Sequence, residues 1–127
     1  MDALRIEIPV YKTYVELYAF ETIDTSRGLL EHKYKNTKFD IKENSLGYST
    51  WFKNKGENKF IIVITNETNV ATIAHECVHL TWYILESVGV KVNLENHEAQ
   101  AYLLEYIIFE IFKLLNYGIT KKKNIYH

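Results

Sequence analysis

At 127 residues and 47% hydrophobic content, the chain is long enough to bury one core and short for two, so a single domain over 1–127 is expected. A net charge of −1 with dispersed lysines lacks the basic patch or stripe that a nucleic-acid partner requires, and the most apolar long stretch, 99–115, is interrupted by Glu105, Glu110 and Lys113, which excludes a membrane span of about 20 nearly uncharged residues. The single cysteine, Cys77, excludes an intramolecular disulfide and is compatible with a reducing, cytoplasmic compartment, as is an N-terminus, Met1-Asp2-Ala3-Leu4-Arg5, without the basic-then-apolar pattern of a secretory signal.

From Leu4 to Phe20, Ile6, Ile8, Val10 and then Val15, Leu17, Ala19 alternate with more polar or aromatic neighbours, the period of strands with one buried face. Pro9 cannot donate to a central ladder, so one or two strands are predicted with Pro9 at an edge or a strand end. Between Thr22 and Lys38, Asp24, Thr25 and Ser26 are capping candidates for a short surface helix bearing Leu29, Leu30 and Tyr34, although Gly28 weakens it. His32, between Glu31 and Lys33, reads as a solvated surface residue. Two strand-like runs, Gly47 to Lys53 and Lys59 to Thr65, flank the turn-rich 54–58 and predict a hairpin. Phe60 to Ile64 is continuously apolar, as a strand buried on both faces would be.

Asn66-Glu67-Thr68-Asn69 supplies capping residues and Gly89 a stop, so a helix is predicted from about Val70 to Val88. On it, Val70, Ile73, Ala74, Cys77, Leu80, Thr81, Ile84 and Val88 form one apolar stripe, with Cys77 a small buried hydrophobe. A last helix is predicted from about His97 to Tyr117, with Gly118 as its stop; it is apolar on nearly all sides, which suggests that it threads the middle of the domain or is covered by another chain. Lys121 to His127 read as a solvated, frayed tail. Strands, a hairpin and then two helices make this an α+β chain.

The chemistry concentrates at His75-Glu76-Cys77-Val78-His79. Residues i and i+4 lie one above the other on a helix, so the two imidazoles can converge on one ion while Glu76 points beside it. Five histidines and thirteen glutamates would produce H-E-x-x-H by chance roughly 0.02 times in such a chain. The histidines also stand off the core stripe. A zinc ion needs a further protein donor, and Glu98, at the start of the last helix, is the natural candidate, with His97 and Glu95 as neighbouring alternatives. Read without a metal, the histidines would be buried, hydrogen-bonded helix residues and Glu98 a carboxylate favoured at a helix N-terminus.

The order H-E-x-x-H, eighteen intervening residues, then Glu98-Ala99-Gln100-Ala101-Tyr102 resembles the gluzincin branch of the zincin metallopeptidases over about Thr72 to Tyr106. Within it, the second piece looks most like the signature of the ImmA/IrrE family, and the small whole resembles zincin-like proteins encoded by bacteriophages. The resemblance implies a zincin-like fold: a small, twisted, mostly antiparallel sheet packed on the H-E-x-x-H helix, with an edge strand able to bind an extended peptide. It further implies Zn2+ held by His75, His79 and Glu98, Glu76 as general base, and a peptide or protein substrate in the cytoplasm, that of the host if the chain is phage-encoded. It offers no position for the oxyanion-stabilising His or Tyr of many gluzincins.

Two functions are therefore expected from different classes, a zinc-dependent peptidase and a zincin-fold binding protein whose metal is structural or vestigial. Small size favours the second, because a separate subdomain to wall the cleft hardly fits, so that a second copy or a partner would complete it. The presence of Glu76 favours the first, because a structural site has no use for a base.

Overall fold

The computed structural model describes residues 3–35, 37–39, 41 and 45–123 and shows an α+β chain: a four-stranded mixed sheet and three helices. Strands β1 (Leu4–Ile8) and β2 (Thr13–Phe20) are joined through a 3-10 turn at Pro9–Tyr11, so proline falls at a strand end, where its missing N–H costs no ladder bond. Strands β3 (Gly47–Asn54) and β4 (Glu57–Thr65) form the expected hairpin. The hairpin's connection is tighter than 54–58 suggests. Asn54 pairs with Glu57, leaving only Lys55 and Gly56, at φ 53° and 83°, in the left-handed conformations of a two-residue primed turn that follows the strand twist.

The sheet order is β1-β2-β4-β3, and its central pair, β2 with β4, is parallel. The sheet is mostly antiparallel, as expected, with both outer ladders antiparallel, and the central β2–β4 ladder makes it mixed. A parallel pair needs a crossover, which the chain makes through helix α1 (Ile23–Lys33) and then β3. It also needs cover on both faces, which accounts for the unbroken burial of Val15 to Tyr18 and Phe60 to Ile64.

Each face has its own core. On one, Ile6, Ile8, Val15, Leu17, Phe60, Ile62 and Ile64 pack with residues of α2 (Val70–Ser87) and α3 (His97–Lys123). On the other, Tyr18, Ile61, Val63 and Tyr48 pack with Leu30 and Tyr34 at the end of α1 and with Phe39 and Ile41. Helix α1 is capped by Thr22, whose Oγ1 accepts from the Thr25 N–H, one turn earlier than the expected caps; Ser26 instead lies buried inside the helix, bonded to the Tyr48 hydroxyl at 3.1 Å. His32 is exposed, as expected.

Helix α3 does not thread the middle. Among its described side chains, Leu103, Ile107 and Ile111 are buried beside α2 and over the β1 side of the sheet and Leu104, Ile108 and Phe112 are partly buried against the same core, while Tyr102 and Phe109 are 67% and 63% exposed. Nor does Gly118 stop it; the helix continues to Lys123, since a glycine inside a helix costs only about 1 kcal/mol and ends it only where the chain turns left-handed. Of the tail expected to fray, Lys121 to Lys123 belong to α3 and 124–127 lie outside the described residues. No helix among the described residues is long and apolar enough to cross a membrane.

Candidate functional site

Helix α2 begins at Asn69, whose side chain accepts from the Thr72 N–H at 2.8 Å, one of the otherwise unpaired N-terminal donors. Ile73, Cys77, Leu80, Thr81, Ile84 and Leu85 bury one face and so fix the rotation of the helix. His75 and His79 then fall on the opposite side. Their Nε2 atoms stand 3.2 Å apart with the rings edge to face. Two nitrogens each about 2.0–2.1 Å from a tetrahedral zinc ion are separated by about 3.3–3.4 Å, so the pair fits two corners of such an ion.

His79 is held by its neighbours: Tyr83 stacks on it at 6.0 Å and 22°, and Trp82 meets it edge-on at 6.3 Å. Tyr83 in turn lies against Trp51 of β3, and Trp51 over Phe60, its indole N–H bonded to Asn58 Oδ1 at 3.0 Å. This run of rings ties the rotamer of His79 to the sheet. His75 is freer, with 68% of its side chain exposed.

Glu76 leans toward the sheet, and only 13% of its side chain is exposed. Ser49 of β3 donates its hydroxyl to Glu76 Oε1 at 2.7 Å, leaving Oε2 4.0 Å from His75 Nε2. One oxygen is thus occupied by the fold, and the other is turned to the histidine face. Ser49 reaches it because alternate residues of β3 divide between the faces: Trp51 joins the α2 side, Tyr48 and Phe52 the α1 side. Gly47 sets how closely β3 enters. A Cβ there would stand 2.9 Å from the Val63 carbonyl oxygen and 3.3 Å from Thr72 Cγ2, so a side chain would clash first with the β4 backbone and press on the first turn of α2.

Burial sets the neighbouring acidities. Cys77 is fully buried, and desolvation, with the Glu76 charge adding to it, pushes its thiol up to about 12, so it is the inert hydrophobe expected. Burial and the same carboxylate raise the Tyr83 phenol.

The three candidates for a further donor lie apart from the histidine pair. Glu98, in the first turn of α3, has 67% of its side chain exposed, and its Oε1 is 3.5 Å from His97 Nδ1. Glu95 is exposed in the 3-10 turn Leu94–Asn96 that leads into α3. Among the described residues, no three His, Cys, Asp or Glu side chains are grouped so as to hold a metal ion. The pair fits an ion; the predicted triple is not assembled. What faces α2 from the start of α3 is Gln100, whose Oε1 accepts the Trp82 indole N–H at 3.3 Å while its Nε2 donates to Asn93 O and Asn96 Oδ1.

Tyr83, four residues after His79, falls on the histidine face from helix spacing alone; Ser49 and Trp51, which nothing in the sequence singles out, reach the site only through strand register. No protein-family model matches the chain, nor does any curated protein or solved structure.

Proposed function

We propose that the chain is a metal-dependent hydrolase of peptide bonds, of zincin-like kind, with His75 and His79 as imidazole donors and Glu76 as general base. The observation that carries the proposal is the convergence of the two Nε2 atoms at 3.2 Å beside a carboxylate whose other oxygen is already bonded by Ser49. A bound zinc ion would supply Lewis acidity, polarising a carbonyl and lowering the pKa of a water. The chain's own part is proton handling. Glu76 Oε2 accepts the proton of the attacking water and returns it to the leaving amine, and the Ser49 hydroxyl keeps the carboxylate from rotating away. Tyr83 and Trp82 keep His79 oriented.

A second reading, a binding protein with a vestigial metal site, is favoured by the 68% exposure of the His75 side chain, since a catalytic site excludes water. Glu76→Gln separates the two. The amide keeps the size and leaves both histidines unchanged but cannot accept a proton at neutral pH, so zinc content should hold while cleavage falls by about 10²- to 10⁴-fold. The assay follows fragments of candidate proteins by mass spectrometry; fragments that persist with the variant would refute the peptidase reading, and a protein retained equally by both forms without cleavage would support the binding one.

A further inference from the structure

The inference rests on the metal reading just proposed and concerns its ligands. We infer that the ion is held by a two-histidine chelate, His75 and His79, and that Glu98 remains outside the coordination sphere as a helix-terminal carboxylate. The rotation of α3 carries this. Its buried stripe runs through Leu103, Ile107 and Ile111, and Glu98 precedes Ile107 by nine residues, which at 3.6 residues per turn is about two and a half turns, placing it on the side opposite the stripe. The side chain that meets α2 is Gln100, seven residues before Ile107 and so close to the direction of the stripe.

Gln100 also locks that rotation. Its amide bonds Trp82 on α2 and both Asn93 O and Asn96 Oδ1 in the segment leading into α3, so turning Glu98 toward the histidines by rolling the first turn would break three hydrogen bonds. Glu98 already has a function where it stands: a carboxylate in the first turn of a 27-residue helix is stabilised by the helix dipole, with His97 3.5 Å away as a partner when protonated. The histidines, in contrast, are already at chelating distance. Two imidazoles would leave the rest of an ion's coordination to water or to a carbonyl oxygen, and all-imidazole donors should bind Cu2+ more tightly than Zn2+.

Isothermal titration with zinc chloride tests the assignment on the whole chain, comparing wild type, His75→Ala, Glu98→Ala and Glu98→Gln, each checked for fold by far-ultraviolet circular dichroism. Glu98 is exposed, so its variants should fold. Both Glu98 variants should keep the wild-type affinity within about threefold, because an exposed charge away from the ion acts only through screened solvent, whereas His75→Ala should lose more than about tenfold. X-ray absorption of the zinc-loaded wild type should report two imidazoles. A loss in both Glu98 variants equal to that in His75→Ala would put Glu98 on the ion and end this inference while leaving the metal reading intact. A wild type that takes up no zinc would end both.

Discussion

Among single residues, Ser49 shows how a helix motif is completed from outside the helix. The spacing of His75 and His79 is a property of one helix, so their convergence could be read from sequence. The partner of Glu76 could not, because it depends on which residues of β3 face α2, and that register is set by pairing with β4 and by the bare Cα of Gly47. Glu98 shows the same dependence on distant residues: the face of α3 on which it stands is decided by the burial of Leu103, Ile107 and Ile111 farther along the helix. Local strain is also legible only in the structure. Lys55 adopts φ 53° in the hairpin turn, a conformation that costs a side chain with a Cβ roughly 1 kcal/mol and that asparagine tolerates better. Lys55→Asn should therefore raise unfolding stability by about 0.5–1 kcal/mol in urea titrations. An unchanged or lower midpoint would show that the lysine is not strained there.

At the level of elements, agreement between sequence and structure follows how local the signal is. The extent of helix α2 was legible nearly to the residue because its cap and stop are local, but its stripe was not at the ends, where Val70 and Val88 stand exposed and Leu85 is buried instead. The hairpin was legible for the same reason. Helix α1 was misread at its start because three cap-competent residues follow Thr22, and only the buried Ser26–Tyr48 contact shows which of them lie inside the helix. The rotation and placement of α3 were the least legible, since a helix apolar on nearly all sides gives no moment from which to choose a buried face. Two substitutions test the stripe that the structure selects. Ile107→Ala, fully buried beneath the helix, should cost about 2–5 kcal/mol, whereas Phe109→Ser, on the exposed side, should cost less than about 0.5 kcal/mol. Comparable losses for both in denaturant unfolding would mean that the outer face of α3 is covered in solution.

For the molecule as a whole, the parallel pairing of β2 with β4 was hidden because pairing direction depends on the path of the chain through α1 and β3, and neither strand encodes it. Its consequence is a two-faced core, and the α1 face is rich in phenols. Burial raises Tyr18 and Tyr34, whose hydroxyls donate to Glu16 Oε1 at 3.2 Å and 2.6 Å, and pushes Tyr48 up to about 12. Below pH 10, the ordinary phenol value, both folded and unfolded states keep these protons and stability is flat. Above it, the unfolded chain releases them first and binds fewer protons than the fold, so stability falls with rising pH until the folded phenols ionise. For Tyr48 that loss amounts to about 2–3 kcal/mol between pH 10 and 12. Tyr48→Phe should make that fall shallower by the Tyr48 share, Tyr18 and Tyr34 still contributing, at a cost of about 1 kcal/mol at pH 7 for the lost bond to Ser26. Urea midpoints at pH 7, 10 and 11 decide it, and parallel profiles for variant and wild type would exclude Tyr48 as a source of the alkaline loss.

The site and the fold should also be coupled, because His75 and His79 converge only when α2 is formed and turned by its buried face. An ion that binds the folded chain alone adds RT ln(1 + [L]/Kd) to its stability, about 2.7 kcal/mol at a free concentration one hundred times Kd. For a chain of this size, that corresponds to a rise in Tm of roughly 8–14 °C. Zinc should produce this rise in the wild type and a chelator should reverse it. His79→Ala removes one of the two nitrogens together with the ring that stacks on Tyr83, so its apo form should melt lower and its response to zinc should be lost. Calorimetry with and without zinc separates those two effects, the first as an offset and the second as a slope against zinc concentration. A wild type whose Tm stays constant from chelator to millimolar zinc would mean that the two histidines do not bind the ion in the folded chain.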